Sequence, residues 1–369
     1  MISSMLAFLS SLDASPFDHG PYQTDVYELG TQKSPITSFA PWHAFVTIPL
    51  NSTQKTAAAA PKEHCSSLVY CAAPVYVFVS GFGGEEPAGS YSELFSLVAS
   101  HGVFVVALDR HAKGILINYT EVAEGLNGTL DYVTRGGLAA DVRKRQSSLT
   151  PNTSVILLGG HSAGNHVAVR RLLSFGCGNV GGMVWMDPVD GADPYGVIPE
   201  FVLHPPLPVA LSTPALHIET GKDPQSVSKH APACAPLRLS NGRFFTAWRH
   251  NPTWQLNATE FGHMDVGNDG VATAALLTCP GNHSNAARAL YRRTVAGAIA
   301  AFARGLIVDR NMCGAAATLD GRVQAPIAPR ELLYASQLQG RAPSEIQASC
   351  SRITRGEQAG KGDPRINNL

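Results

Sequence analysis

The sequence predicts an α/β fold, with helices on both faces of a mostly parallel central sheet. One observation is an alternation: from about residue 24 onward, short runs rich in β-branched residues are followed by longer segments of helical period. Another is that several short runs are apolar at every position, as strands buried on both faces of a parallel sheet are. These buried strands are predicted at 74–80, 103–109, 154–160 and 181–187.

The remaining elements fit around these strands. Two further strands precede them and two follow, at 24–29, 43–50, 215–220 and 254–261. Capping residues and terminal glycines predict four helices, the second interrupted by a glycine pair, at 90–102, 129–149, 164–176 and 285–308. The segment 188–214 is rich in proline and can sustain no long helix.

This pattern indicates a single catalytic domain over residues 20–310, because no internal repeat divides it. A lead-in of residues 1–19 precedes it. A C-terminal extension of residues 311–369 follows, where the apolar period fades and a partly mobile tail is expected. No stretch reaches the roughly 20 apolar residues that a membrane span needs, so we expect at most peripheral membrane contact.

The composition argues against several classes of function. The chain balances 28 basic side chains with 28 acidic ones, so it has no field that would gather nucleic acid. Its seven cysteines lack the paired spacing of a zinc site, and no metal is expected. Because their number is odd, at least one thiol is free or pairs between chains. The oligomeric state is left open. Six N-x-S/T sequons are consistent with a secretory route and begin at Asn51, Asn118, Asn127, Asn152, Asn257 and Asn282.

The stretch GHSAG, residues 160–164, matches the G-x-S-x-G motif of the α/β-hydrolase fold. It follows an apolar strand and precedes a helix, which is where that motif presents a serine on a strained turn. Glycines flank the turn because side chains there would collide with neighbouring elements. The motif therefore predicts Ser162 as a nucleophile, and the alternative is a glycine-rich turn with a capping serine.

A nucleophilic serine needs a base and an acid, which follow it in this fold in the order acid, then His. His263 lies in a glycine-flanked turn directly after the last predicted strand, unlike His217, His230, His250 and His283. Two aspartates follow suitable strands, Asp187 and Asp223, and either could orient the imidazole. The residues alone do not choose between them.

An oxyanion hole is predicted from two backbone N–H groups. One belongs to Ala163, the residue after the nucleophile. The other belongs to Phe82, in the glycine-rich loop after the strand at 74–80. The alternative for this loop is a flexible glycine turn without a catalytic role.

These motifs together resemble the chlorophyllase family, α/β hydrolases of plants and algae that cleave the phytyl ester of chlorophyll. The resemblance covers about residues 17–310. It is carried by SPFDHGPYQTDVYEL near the start, PVYVFVSGFGG, GGHSAGN, MVWMDPVDG, PACAP, TEFGHMDV and RRTVAGAIAAFARG. It implies a triad of Ser162, Asp187 and His263, a chlorophyll or related phytyl ester as substrate, no cofactor, and a chloroplast location.

Two departures from the plant pattern indicate a divergent, algal member. Plant members usually have Arg and Gly after the nucleophile, where this chain has Ala163 and Asn165. They also have His-Gly-Phe where this chain has Ser80, Gly81 and Phe82. Lipid esterases of the platelet-activating-factor acetylhydrolase type and bacterial polyester hydrolases share the architecture and are the alternative functions. A non-catalytic module that binds pigment or lipid is a third.

A long phytyl chain needs an apolar groove. The proline-rich segment offers five apolar side chains as its lining, Val197, Ile198, Phe201, Val202 and Leu203. The alternative is that this segment only packs onto the core.

Overall fold

A mostly parallel sheet lies at the centre of the chain. The computed structural model describes residues 17–32, 42–52, 72–84, 86–109, 119–145, 147, 149–191, 201–209, 211, 213–249, 251, 253–307 and 332–335. Within these ranges nine strands form one sheet in the order β1-β2-β4-β3-β5-β6-β7-β8-β9. They are β1 (Tyr22–Gln32), β2 (Trp42–Ser52), β3 (Ala72–Val79), β4 (Phe104–Asp109), β5 (Thr150–His161), β6 (Val180–Met186), β7 (Ala215–Thr220), β8 (Thr253–Ala258) and β9 (Leu332–Ala335).

The pairing explains why the central strands are apolar throughout. Strands β3 to β8 pair in parallel, whereas the β1–β2, β2–β4 and β8–β9 pairs are antiparallel. Parallel strands need crossover connections, and these place helices over both faces. The carboxyl ends of β3, β5, β6, β7 and β8 consequently meet at one edge of the sheet.

Helices cover both faces, which confirms the predicted fold class. They are α1 (Gly81–Gly84), α2 (Ser92–Ser100), α3 (Tyr119–Thr134), α4 (Gly137–Lys144), α5 (Gly164–Phe175), α6 (Asn241–Ala247), α7 (Asp269–Ala275) and α8 (Asn285–Ile307). Side chains of α2 and α8 join one buried apolar cluster, and those of α3 to α6 join another on the opposite face. Neighbouring residues of β3 contribute alternately, with Phe78 in the first cluster and Val77 in the second.

The differences from the predicted elements have physical reasons. The helix expected over 129–149 begins ten residues earlier, at Tyr119, and is split at Gly136, whose φ is +91°. Helices α6 and α7 were not predicted, since seven residues are too few to show a helical period. Strand β9 lies in the expected C-terminal extension and pairs with β8. The division into lead-in, catalytic domain and extension stays a prediction.

A disulfide joins two loops at the edge where the carboxyl ends of the strands meet. Cys234 follows β7, Cys279 follows α7, and the two are bonded. Cys177 is the free cysteine in the described ranges, and the other four cysteines lie outside them. No helix among the residues described has both the length and the apolar character needed to cross a membrane.

Candidate active site

Backbone strain is concentrated at the carboxyl edge of the sheet. Of the non-glycine residues that the structure describes, three have a positive φ: Phe82 at 49°, Ser162 at 54° and Asp187 at 41°. They follow β3, β5 and β6 respectively. A side chain in this region costs of order 1–3 kcal/mol, and such strain collects at functional sites. All three were named as site residues by the sequence analysis.

Ser162 occupies the turn between β5 and α5. Its N–H donates to the carbonyl of Met186 at 3.0 Å, and its own carbonyl accepts from the N–H of Val189 at 3.1 Å. These two bonds tie the turn to the end of β6, so the strained backbone is held from the neighbouring strand. Ala163, the second predicted oxyanion donor, lies directly before α5.

The two glycines of the motif allow β3 to approach this turn. A Cβ atom at Gly160 would lie 2.1 Å from the carbonyl oxygen of Val79, and one at Gly164 would lie 2.3 Å from the same atom. Real Cβ atoms essentially never come within 3.0 Å of another heavy atom in this way. The last residue of β3 therefore packs directly against the serine turn.

Phe82 follows β3 in a turn that is tied to the same place. The N–H of Gly81 donates to the hydroxyl of Tyr91 at 3.3 Å, and that hydroxyl lies 2.8 Å from Nδ1 of His161. The Phe82 side chain is 60% exposed. The turn that carries the predicted oxyanion donor is thus connected, through one buried tyrosine, to the residue before the nucleophile.

His161 also fixes the backbone of His263. Nε2 of His161 lies 2.8 Å from the His263 carbonyl oxygen, which can only accept, so Nε2 carries the proton. Nδ1 then accepts from Tyr91. Burial, followed by the nearby His263 ring, lowers the pKa of His161 to about 3, so this ring is neutral. The two imidazole rings are 4.5 Å apart.

The turn that carries His263 is hydrogen-bonded to the loop after α7 and packs closely against it. The carboxylate of Asp265 accepts from the N–H of Gly262 at 2.8 Å and from that of Asn282 at 2.7 Å. A Cβ at Gly262 would lie 1.7 Å from the carbonyl oxygen of Pro280. His263 itself is 5% exposed, so its ring is held at the edge of the sheet with little freedom.

Asp187 and Asp223, the two candidates for the acid that orients the imidazole, both lie beside His263. Oδ1 of Asp223 is 3.4 Å from Nδ1 of His263. Oδ1 of Asp187 accepts from the N–H of Thr220 at 2.7 Å, and the Thr220 hydroxyl lies 3.1 Å from Asp187 and 2.6 Å from Asp223. Burial and then the charge of Asp223 raise the pKa of Asp187. Burial also acts to raise the pKa of Asp223, but the His263 ring and hydrogen bonds outweigh it, and that pKa is lowered.

His161, Asp187 and His263 have potential ligand atoms within 4.8 Å of one another. A metal ion would need a free lone pair on each residue. Both nitrogens of His161 are already used, by Tyr91 and by the His263 carbonyl. The group therefore suits proton transfer better than it suits a cation.

The predicted groove residues are only partly described. Val197 and Ile198 lie outside the described residues. Leu203 is 2% exposed and packs in the core, with Val202 against it. Phe201 lies under the guanidinium of Arg243, at 4.3 Å from its ring centre. Their role as a lining stays a prediction.

The carboxylate of Asp190 holds the end of the proline-rich segment in place. The sequence analysis did not predict this role. The buried carboxylate of Asp190 accepts from the N–H of Val202 at 3.0 Å and of Leu203 at 3.1 Å. It also pairs with Arg243 at 2.6 Å and with His166 at 3.0 Å. Tyr91 and Thr220 were missed as well, because their partners are distant in sequence. His161 could have been identified from the sequence, because it lies inside the G-x-S-x-G motif.

Buried histidines make the folded state sensitive to acid. Burial, then Arg304, lowers the pKa of His101 to about 4, and burial lowers that of His217 to about 4, from an ordinary value of 6.5. Between pH 6.5 and 4 the unfolded chain binds protons that the folded chain does not. The free energy of unfolding should therefore fall as pH falls through this window. Urea unfolding at pH 7.5, 6 and 5 measures this free energy. In the His217→Gln variant it should fall less steeply as the pH is lowered. An unchanged unfolding free energy from pH 7.5 to 5 would contradict this.

Comparison with known proteins matches this arrangement to one family. The family described as Chlorophyllase matches residues 17–334. Chlorophyllase-1, chloroplastic, of Citrus unshiu is 30% identical over 224 residues, which are 58% of this chain and 63% of that protein. Chlorophyllase-2 of Arabidopsis thaliana is 28% identical over 185 residues, 48% of this chain and 56% of the relative.

A third relative, Chlorophyllase type 0 of Chenopodium album, is 25% identical over 251 residues, 64% of this chain and 68% of its own. The chain thus spans somewhat under two thirds of the length of the Citrus relative. The family match covers most of the chain, including every strand from β1 to β8 and the residues described above. With its α/β-hydrolase architecture, this chain belongs to the chlorophyllase family.

Proposed function

We propose that this protein is a serine carboxylesterase that hydrolyses the phytyl ester of chlorophyll to chlorophyllide and phytol. The observation that carries the proposal is the strain at the carboxyl edge of the sheet. Three non-glycine residues with positive φ, Phe82, Ser162 and Asp187, lie at the ends of the neighbouring strands β3, β5 and β6. The buried His263 is joined to this edge through its carbonyl, which accepts from Nε2 of His161, the residue before Ser162. Membership of the chlorophyllase family, and the names of the relatives, support the choice of ester.

The proposed reaction passes through an acyl-enzyme. The Ser162 hydroxyl attacks the ester carbonyl on the propionate side chain of the pigment, and His263 accepts the serine proton. The N–H groups of Phe82 and Ala163 stabilise the oxyanion. His263 then gives its proton to the departing phytol. A water molecule, activated by the same imidazole, releases chlorophyllide and restores Ser162.

The acid side of the proposed site is a pair of neighbouring aspartates: Asp187, which the family resemblance implies, and Asp223, whose Oδ1 lies 3.4 Å from Nδ1 of His263. A carboxylate here keeps the imidazole in the tautomer that accepts the serine proton, and it stabilises the imidazolium that forms. No cofactor takes part in these steps, and the magnesium of chlorophyll belongs to the substrate.

A chloroplast location is part of the proposal, since the Citrus relative is named as chloroplastic. The alternative is a secreted lipid esterase or polyester hydrolase. One of the sequons that favoured it is poorly placed for a glycan, because Asn257 lies within β8 and its Nδ2 donates to Glu219 at 2.8 Å. That side chain is already engaged in the sheet.

The test is a comparison of substrates with the purified full chain. We expect chlorophyll a to yield a more polar, dephytylated pigment, separated by chromatography, together with free phytol. Parallel assays use a short-chain p-nitrophenyl ester and a phospholipid with a short acyl chain. Rapid hydrolysis of either with no dephytylated pigment would overturn the chlorophyll proposal in favour of the alternative. Stoichiometric pigment binding without turnover would overturn the assignment as an enzyme.

A further inference from the structure

Two buried carboxyl groups stand where a serine–histidine pair needs only one. Asp187 is 0% exposed and Asp223 is 1% exposed. The Thr220 hydroxyl lies between them, 3.1 Å from Oδ1 of Asp187 and 2.6 Å from Oδ1 of Asp223. Ionised carboxylates only accept hydrogen bonds. Two of them side by side in a buried site repel strongly, so such a pair holds one proton between its members.

The hydrogen-bond partners differ between the two acids. Oδ1 of Asp223 faces Nδ1 of His263 at 3.4 Å, and its Oδ2 accepts from Nδ2 of Asn241 at 3.4 Å. Oδ2 of Asp187 is buried and has no hydrogen-bond partner among the residues described. A buried charge needs donors on its oxygens. Oδ1 of Asp223 accepts from the Thr220 hydroxyl at 2.6 Å, so both of its oxygens have donors, whereas Oδ2 of Asp187 is satisfied only if it carries a proton. Nδ1 of His263 is likewise buried without a hydrogen-bond partner among the described residues, and it faces the Asp223 carboxylate.

The electrostatics agree with this geometry. Burial and the neighbouring charge raise the pKa of Asp187, while His263 and the hydrogen bonds bring the pKa of Asp223 below its ordinary value. The titratable groups that interact with the pair are set on four different elements, and they are His161, His217, Glu219, His263 and Tyr291. Burial keeps His161 and His217 neutral near pH 7. The negative charge of the aspartate pair therefore acts on the imidazole of His263.

We propose that Asp187 and Asp223 share one proton, that Asp187 holds it, and that ionised Asp223 is the group that orients His263. This inference rests on the proposed function and deepens it. Asp187 acts through Asp223 as a positioning residue, donating its proton in a hydrogen bond to the Asp223 carboxylate. When Ser162 attacks, its proton moves to Nε2 of His263 and the proton of Asp187 stays where it is. The imidazolium then faces a single negative charge, and no charge is created or lost in the acid pair.

Asparagine substitutions separate the two roles. Asn has the shape of a protonated aspartic acid and can donate a hydrogen bond, so Asp187→Asn should keep kcat/KM within about tenfold of the native chain. Asp223→Asn removes the orienting charge and should lower kcat/KM by about 10⁴-fold, the scale seen when a triad acid becomes an amide. Both are assayed on chlorophyll a and on a short p-nitrophenyl ester, and thermal unfolding of each variant checks its fold.

A spectroscopic measurement reports the pair without any substrate. Histidine ring ¹⁵N spectra of the full chain, with the His263 signal identified from a His263→Gln variant, show whether Nδ1 carries a hydrogen-bonded proton. This proton signal should persist in Asp187→Asn and disappear or shift in Asp223→Asn. If the native chain hydrolyses neither ester but shows this pattern, the proposed function fails and the inference about the pair stands.

The opposite ranking overturns the inference. A loss of about 10⁴-fold in Asp187→Asn with near-native Asp223→Asn would make Asp187 the ionised, orienting acid. Equal losses in both variants would also overturn the division of roles. If Asp223→Asn does not fold, Asp187→Asn alone decides, because only a proton-bearing Asp187 tolerates replacement by an amide with the His263 signal unchanged.

Discussion

Replacing Ser162 by alanine is expected to lower kcat for ester hydrolysis by about 10⁴-fold or more while leaving the chain folded. The hydroxyl is the proposed nucleophile, and it belongs to the residue with a positive φ between β5 and α5. Alanine removes only one oxygen atom. Because the backbone bonds of Ser162 to Met186 and Val189 do not involve the side chain, the turn should keep its conformation.

The measurement is turnover on chlorophyll a and on a short p-nitrophenyl ester, with covalent labelling by a fluorophosphonate as a second readout. Ser228→Ala is the matched control, since Ser228 lies on the exposed loop after β7. The control should hydrolyse and label like the native chain, and Ser162→Ala should do neither. Near-native hydrolysis by Ser162→Ala would remove the proposed mechanism altogether.

The central strands and the nucleophile turn could be predicted because their signals are local. A strand buried on both faces must be apolar along its length, as at 74–80 and 154–160. The turn must have glycines two positions before and two positions after Ser162, as at Gly160 and Gly164. Both patterns can be recognised within a dozen consecutive residues. The structure has β3, β5 and α5 in the expected places.

The hydrogen-bond network around the site could not be predicted, because its members are distant in sequence. Tyr91 and His161 are separated by 70 positions, and Thr220 and Asp187 by 33. Nothing in the local pattern distinguishes such a Tyr or Thr from any other core residue. For the same reason the residues alone could not choose between Asp187 and Asp223, since strand order brings both to one imidazole.

Gly164→Ala is expected to damage both stability and catalysis. Its Cβ would lie 2.3 Å from the carbonyl oxygen of Val79 and 2.5 Å from that of Ser80. Both atoms are backbone at the end of β3 and cannot rotate away, so the strand end must move. Forced overpacking of this kind costs about 1–3 kcal/mol of unfolding free energy. The displaced segment leads directly into Gly81 and Phe82, so the proposed oxyanion donor should move with it.

Loss of one oxyanion donor lowers kcat by about 10²–10³-fold, and we expect Gly164→Ala to fall in that range. Gly242→Ala is the matched control: Gly242 lies in α6, and a Cβ there would meet no atom within 4 Å. That variant should keep full activity and gain up to about 1 kcal/mol, as glycine is a poor helix former. Urea unfolding and steady-state kinetics on both variants give the two quantities separately. If Gly164→Ala lost stability but kept its kcat, the turn after β3 would not contribute to catalysis, and the role of Phe82 would have to be abandoned even with Ser162 as nucleophile.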